Sequence, residues 1–105
     1  ALSDRDVFVN AAGGVRTTEP AVDLSVLAAI ASSALDRPLP RDTVLLGEVG
    51  LVGEVRAVSH PTLRLKEAAR HGFRAALVPP SCVEHAPPGL EAIPVRRVTE
   101  ALEHL

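Results

Sequence analysis

Three glycines spaced by three residues, Gly47, Gly50 and Gly53, punctuate the stretch from Val44 to Val58 and leave it few ways to fold. Leu45-Leu46-Gly47-Glu48-Val49 and Gly53-Glu54-Val55-Arg56-Ala57-Val58 read as strands flanking the turn at Gly50-Leu51-Val52, so the segment is expected to be a hairpin or meander. The same spacing invites comparison with a phosphate-cradling loop. That loop must open a helix, whereas these glycines lie between strands, and no Gly-Lys-Ser/Thr occurs anywhere in the chain. An ATPase built from this chain alone is therefore not expected.

The rest of the chain alternates around that hairpin. A helix is expected from about Pro20 to Leu35, with proline in its first turn, Leu24, Leu27, Ala28, Ala31 and Leu35 at helical spacing, and Pro38 and Pro40 stopping it. Thr62 to His71 forms a second helix with Gly72 as its C-terminal cap. Phe73 to Val78 is a buried strand closed by Pro79-Pro80, Ser81 to Gly89 a loop, Ala92 to Val95 a short strand and Val98 to Leu105 a terminal helix. Upstream, Asp6-Val7-Phe8-Val9-Asn10 is strand-like and Gly13-Gly14 marks a turn. Because that strand comes almost at once, the domain is expected to be truncated at its N-terminus. The whole, residues 1–105, reads as one α/β domain with helices packed on a mixed β-sheet.

Composition narrows the chemistry. About 47% of the residues are apolar, yet there are two Phe and no Trp, Tyr or Met, so the core must be built from Ala, Val, Leu and Ile. Aromatic platforms for stacking single-stranded bases are essentially missing. The net charge is −2, so any contact with nucleic acid must be a local patch. Ten of the eleven basic residues are arginine. Arg64, Lys66 and Arg70 share the second helix, with Lys66 and Arg70 four apart, and Arg74 follows; with Arg56 they are the candidate phosphate contacts, since guanidinium forks suit paired oxygens. The competing reading is a solvated helix face.

Metal and redox chemistry find little support. The lone cysteine, Cys82, excludes an internal disulfide and a multi-cysteine zinc site, which fits a reducing compartment, and is expected to be a buried or idle thiol. His60, His71, His85 and His104 are scattered without ligand spacing, so no metal site is expected. No apolar run approaches the ~20 residues of a membrane span and no signal-peptide pattern opens the chain, which points to the cytoplasm.

The segment Gly47-Glu48-Val49-Gly50-Leu51-Val52-Gly53-Glu54-Val55-Arg56-Ala57-Val58 resembles the Gly-Glu-x-x-Leu-x-Gly-x-Val-x-x-(Ile/Val) stretch of Lon-type proteolytic domains. Leu65 to Pro79 looks like the Ala-rich helix, glycine and Val-Pro strand that follow it there. The resemblance implies the Lon proteolytic-domain sandwich, which is like domain 2 of ribosomal protein S5. It also implies a position for each half of a serine-lysine dyad. Glu19-Pro20-Ala21-Val22-Asp23-Leu24 falls where the family carries Gly-Pro-Ser-Ala-Gly, placing Ala21 at the nucleophile, and gapless alignment from Gly53 places Thr62 at the lysine. Alanine has no nucleophile and threonine cannot serve as general base, so this route to peptide hydrolysis is closed.

Asp6 to Asn10, Gly13-Gly14-Val15-Arg16, Thr18-Glu19-Pro20-Ala21, Asp23-Leu24 and Arg64-Leu65-Lys66-Glu67-Ala68 look more like the non-proteolytic Lon-like domains of bacterial DNA-repair ATPases than like an active Lon. That likeness implies a scaffold assembled in a hexameric ring beneath a RecA-like ATPase. It implies ATP, Mg and Zn in other modules of the parent protein, with no cofactor in this domain. The partners it implies are other copies of itself, branched or single-stranded DNA and a recombinase, in recombinational repair and branch migration, with no membrane. The alternatives are an active Ser-Lys peptidase and the Lon-like domain of the magnesium-chelatase-like ComM family. A dyad displaced by one helical turn, Ser25 with Lys66, would sit about 6 Å from the expected place, far outside catalytic tolerance.

Overall fold

A computed structural model of the chain describes residues 19–104. The strand expected at Asp6–Asn10 and the turn at Gly13-Gly14 lie outside the described residues. A 3-10 turn, Pro20–Val22, leads directly into helix α1, Asp23–Leu35. There follow strands β1 (Thr43–Leu45), β2 (Glu48–Val49) and β3 (Val55–Arg56), helix α2 (Pro61–Arg70), strand β4 (Ala75–Val78), a 3-10 helix (Pro80–His85), strand β5 (Glu91–Pro94) and helix α3 (Val98–Leu102).

Local chemistry accounts for the helix ends. Glu19 caps the 3-10 turn by accepting from the Ala21 N–H, and Pro20 occupies a position where its missing donor costs nothing. Helix α1 stops at Asp36, which takes the left-handed conformation (φ 54°) ahead of Pro38. Helix α2 closes as expected: Gly72 adopts φ 91° and the Phe73 N–H returns to the Ala68 carbonyl at 3.1 Å.

The strands form a three-stranded parallel sheet in the order β1-β4-β5, and β2 and β3 form a separate antiparallel pair. Among the described residues this replaces the mixed sheet expected from sequence, and it divides the stretch from Val44 to Val58 between two sheets. The division falls at Leu46-Gly47. The Leu46 N–H still bonds the Leu77 carbonyl of β4 (2.9 Å), but the next residue turns away: Gly47 donates to the Ala21 carbonyl (2.9 Å) and accepts from the Leu24 N–H (3.0 Å). Only glycine fits there, because a Cβ would lie 2.7 Å from Val55 Cγ1. Asp23, at the start of α1, then anchors the hairpin by accepting from the Val49 N–H at 3.2 Å.

The parallel sheet separates two apolar layers, as the two-residue period of a strand requires. Leu45 and Leu77 pack with Leu24, Leu27 and Ala28 of α1, with Val55 of the hairpin, and with Val98 and Ala101 of α3. Leu46, Ala76 and Val78 pack on the other side with Leu65 and Ala68 of α2, Cys82 and Leu90. The core is thus aliphatic, with helices on both faces of the sheet.

Beyond shifts of one or two residues at other ends, two boundaries differ from expectation. The loop expected from Ser81 begins instead with the 3-10 helix Pro80–His85, which seats Cys82 in the core at 1% exposure. Its start is prepared by Pro79-Pro80, and the Cys82 N–H closes on the Pro79 carbonyl at 2.9 Å. The terminal helix ends at Leu102, so it is shorter than the stretch to Leu105. Among the described residues, no helix is long and apolar enough to cross a membrane.

Candidate functional site

Ala21 and Thr62, the positions expected from sequence to correspond to a dyad, lie on neighbouring elements tied by an ion pair. Ala21 is 2% exposed, its methyl group set among the core residues beneath α2. Both its backbone groups are used, the N–H by Glu19 Oε1 (3.3 Å) and the carbonyl by Gly47 (2.9 Å). The Glu19 carboxylate also meets the Arg64 guanidinium of α2 at 2.9 Å. Arg64 and then the Ala21 N–H hold the Glu19 carboxyl below its ordinary pKa, because both favour the charged form. Arg64 completes its coordination on the loop before α2, donating from Nε to the Ser59 carbonyl (2.6 Å) and from Nη2 to Ser59 Oγ (3.1 Å).

Thr62 is exposed on the first turn of α2, where its hydroxyl lies 2.8 Å from His85 Nδ1 on the 3-10 helix Pro80–His85. His85 Nε2 faces Glu84 Oε1 at 3.8 Å. This contact links the two elements that cover one face of the sheet. Ser25, the candidate for a displaced nucleophile, donates its hydroxyl proton to the Val22 carbonyl at 2.8 Å. Its would-be partner Lys66 is exposed on α2 and makes no side-chain hydrogen bond or ion pair among the described residues.

The five candidate phosphate contacts fall into three settings. Arg64 is turned inward, its side chain 23% exposed, and is committed to Glu19 and Ser59. Arg56 lies on the hairpin between Glu48 (4.0 Å) and Glu54 (3.6 Å). Lys66, Arg70 and Arg74 run along the exposed side of α2 and past its C-terminus; Arg70 meets Glu67 at 3.5 Å, and Arg74, like Lys66, has no side-chain partner among the described residues. Exposed pairs of the Arg70–Glu67 kind are readily exchanged for other partners. Among the described residues, no three His, Cys, Asp or Glu side chains converge as metal ligands would.

A second feature had no sequence signal beyond its glycines. The hairpin tip projects Leu51 and Val52, 78% and 68% exposed. It is held by Gly50 N–H to the Glu54 carbonyl (3.0 Å), Gly53 N–H to the Gly50 carbonyl (3.1 Å) and Arg97 Nη2 to the Val52 carbonyl (2.6 Å). The Glu54 carboxylate folds over Gly50, leaving no room for a Cβ, and its buried Oε1 finds no donor among the described residues. Beside α3, Leu35, Arg37, Thr99, Leu102 and Glu103 line an open depression of about 240 Å³.

No protein-family model matches the chain. Among curated proteins, it is 50% identical over 102 residues to the DNA repair protein RadA of Escherichia coli, covering 96% of this chain and 22% of that protein. The same-named protein of Aquifex aeolicus is 52% identical over 102 residues, covering 97% and 23% respectively. That of Mycobacterium tuberculosis is 44% identical over 105 residues, covering 100% and 22%. The chain thus spans about a fifth of the length of the curated relatives it matches.

Proposed function

We propose, from the 44–52% identity that nearly the whole chain shares with part of the DNA repair protein RadA of several bacteria, that it is a RadA-type, C-terminal Lon-like domain. Its role is non-catalytic. It serves as an assembly scaffold and as a DNA-contacting platform in recombinational repair and branch migration, within a cytoplasmic parent protein whose other modules use ATP, Mg and Zn. The domain itself takes no cofactor; its partners are other copies in a ring, branched or single-stranded DNA and a recombinase.

The observation that carries the non-catalytic reading is the setting of Ala21: an apolar methyl, buried, with both backbone groups already bonded, at the position the Lon resemblance gives to the nucleophile. Thr62, bonded to His85, supplies no base there. For DNA, the settings favour Lys66, Arg70 and Arg74 as phosphate contacts, with Arg56 behind exposed pairs of the same exchangeable kind, while Arg64 is spent on Glu19 and Ser59. Such contacts are indifferent to base identity, which suits branched substrates of any sequence.

Two measurements on the same preparation test this reading. Incubation with an unfolded protein substrate is expected to give no cleavage, and titration with a branched DNA is expected to give binding that weakens steeply with salt. Cleavage would restore the peptidase. Salt-insensitive binding, or none, would remove the DNA role.

A further inference from the structure

We infer that Ser59 is a phosphorylation site whose phosphate takes Arg64 from Glu19, so that one phosphoryl group unfastens the 3-10 turn Pro20–Val22 from α2. Ser59 is exposed on a bend, within residues 57–60, which belong to no helix or strand, so its hydroxyl and the flanking backbone are open to an enzyme. Its Oγ accepts from Arg64 Nη2 at 3.1 Å and donates to no acceptor among the described residues. Ser25 and Thr62 are placed differently, since the first donates to the Val22 carbonyl and the second meets His85.

The receiving site for a phosphate is already built. Arg64 Nε donates to the Ser59 carbonyl at 2.6 Å, which holds the guanidinium against this residue before any phosphate arrives. Ser59 also lies two residues ahead of Pro61, the first residue of the ten-residue helix α2, where the helix dipole favours negative charge. The competitor sits on the same nitrogen: Nη2 is 2.9 Å from Glu19 Oε1. A phosphate monoester carries about −1.5 to −2 charge at neutral pH against −1 on Glu19, and the two anions repel across the guanidinium they would share. With Glu19 displaced, the turn bearing Ala21 loses this tie to α2. The transfer draws on a nucleoside triphosphate through a protein-serine kinase. Ser59 Oγ attacks the γ-phosphorus, the new Oγ–P bond replaces that to the β,γ-bridging oxygen, the nucleoside diphosphate leaves with the electron pair, and the hydroxyl proton passes to the kinase's base.

Two measurements test the inference. In the 105-residue chain with Ser59 phosphorylated, the modified residue being introduced during translation, NMR titration should show the Glu19 carboxyl back in the ordinary carboxylate range or above it. In the unmodified chain Arg64 and the Ala21 N–H keep that carboxyl low. Ser59→Ala, which takes no phosphate and leaves the Arg64–Glu19 pair whole, should keep it low as well, and Ser59→Glu, a weaker anion, should raise it part of the way. Circular dichroism checks that each form is folded. A Glu19 pKa that stays low in both the phosphorylated chain and Ser59→Glu overturns the exchange. The protein isolated from its own cells, grown with and without DNA damage, should carry a phosphatase-sensitive phosphate on Ser59 by peptide mass spectrometry. Its absence under both conditions overturns the assignment of the site.

Discussion

The Arg64 guanidinium lies 2.9 Å from the Glu19 carboxylate, and through that pair the 3-10 turn bearing Ala21 is fastened to the helix bearing Thr62. Glu19 has a pKa below its ordinary value in the folded chain, so its contribution to stability is fully present above the unfolded pKa and is lost as pH falls through the folded one. Urea unfolding should therefore show the intact chain more stable than Glu19→Gln at pH 6, with the difference shrinking in acid below the ordinary carboxylate range. A difference that stayed constant from pH 6 to pH 3 would mean that the carboxylate charge contributes nothing.

Installing a serine-lysine pair at the two positions proposed for a dyad should fail. Ala21→Ser combined with Thr62→Lys is expected to yield no peptidase activity on an unfolded substrate, because position 21 is only 2% exposed and its surroundings are apolar. The new hydroxyl would be desolvated without a designed partner, costing roughly 1–3 kcal/mol. Thermal unfolding read beside the cleavage assay checks both parts of that expectation.

Charge reversal separates the two classes of arginine. Lys66→Glu with Arg70→Glu is expected to lower affinity for branched DNA and to flatten its salt dependence by about two phosphate contacts, with the melting temperature nearly unchanged. Arg64→Ala should do the opposite, lowering stability and leaving the salt slope in place, since its guanidinium is bonded to Glu19 and Ser59. Equal effects of the two changes on the salt slope would contradict the assignment.

Gly47 makes a packing prediction that needs no ligand. Gly47→Ala puts a methyl group 2.7 Å from Val55 Cγ1 and should cost about 1–3 kcal/mol in chemical denaturation. Adding Val55→Ala removes the atom it strikes. The double variant should therefore lose less than the sum of the two single changes.

The alternation of helices and strands was legible because it depends on near neighbours. Leu24, Leu27, Ala28 and Ala31 mark the buried stripe of α1, Pro38 follows its end, and Gly72 supplies the positive φ that closes α2. Cys82, read from sequence as buried or idle, is buried, on a 3-10 helix that was not expected; a run of prolines reads as a break whether or not it winds into a short helix.

The sequence by itself determined, over the described residues, where most helices and strands lie and the aliphatic nature of the core. Tertiary structure alone decided that the glycine-rich stretch serves two sheets, because the departure at Gly47 depends on bonds to Ala21 and Leu24, more than 20 residues away. It also decided which cations are spent. Arg64 and Lys66 look alike two positions apart on a helix, yet one faces Glu19 and the other faces solvent. Helical spacing fixes the angle between side chains, but the partner each one meets is set by how distant segments pack.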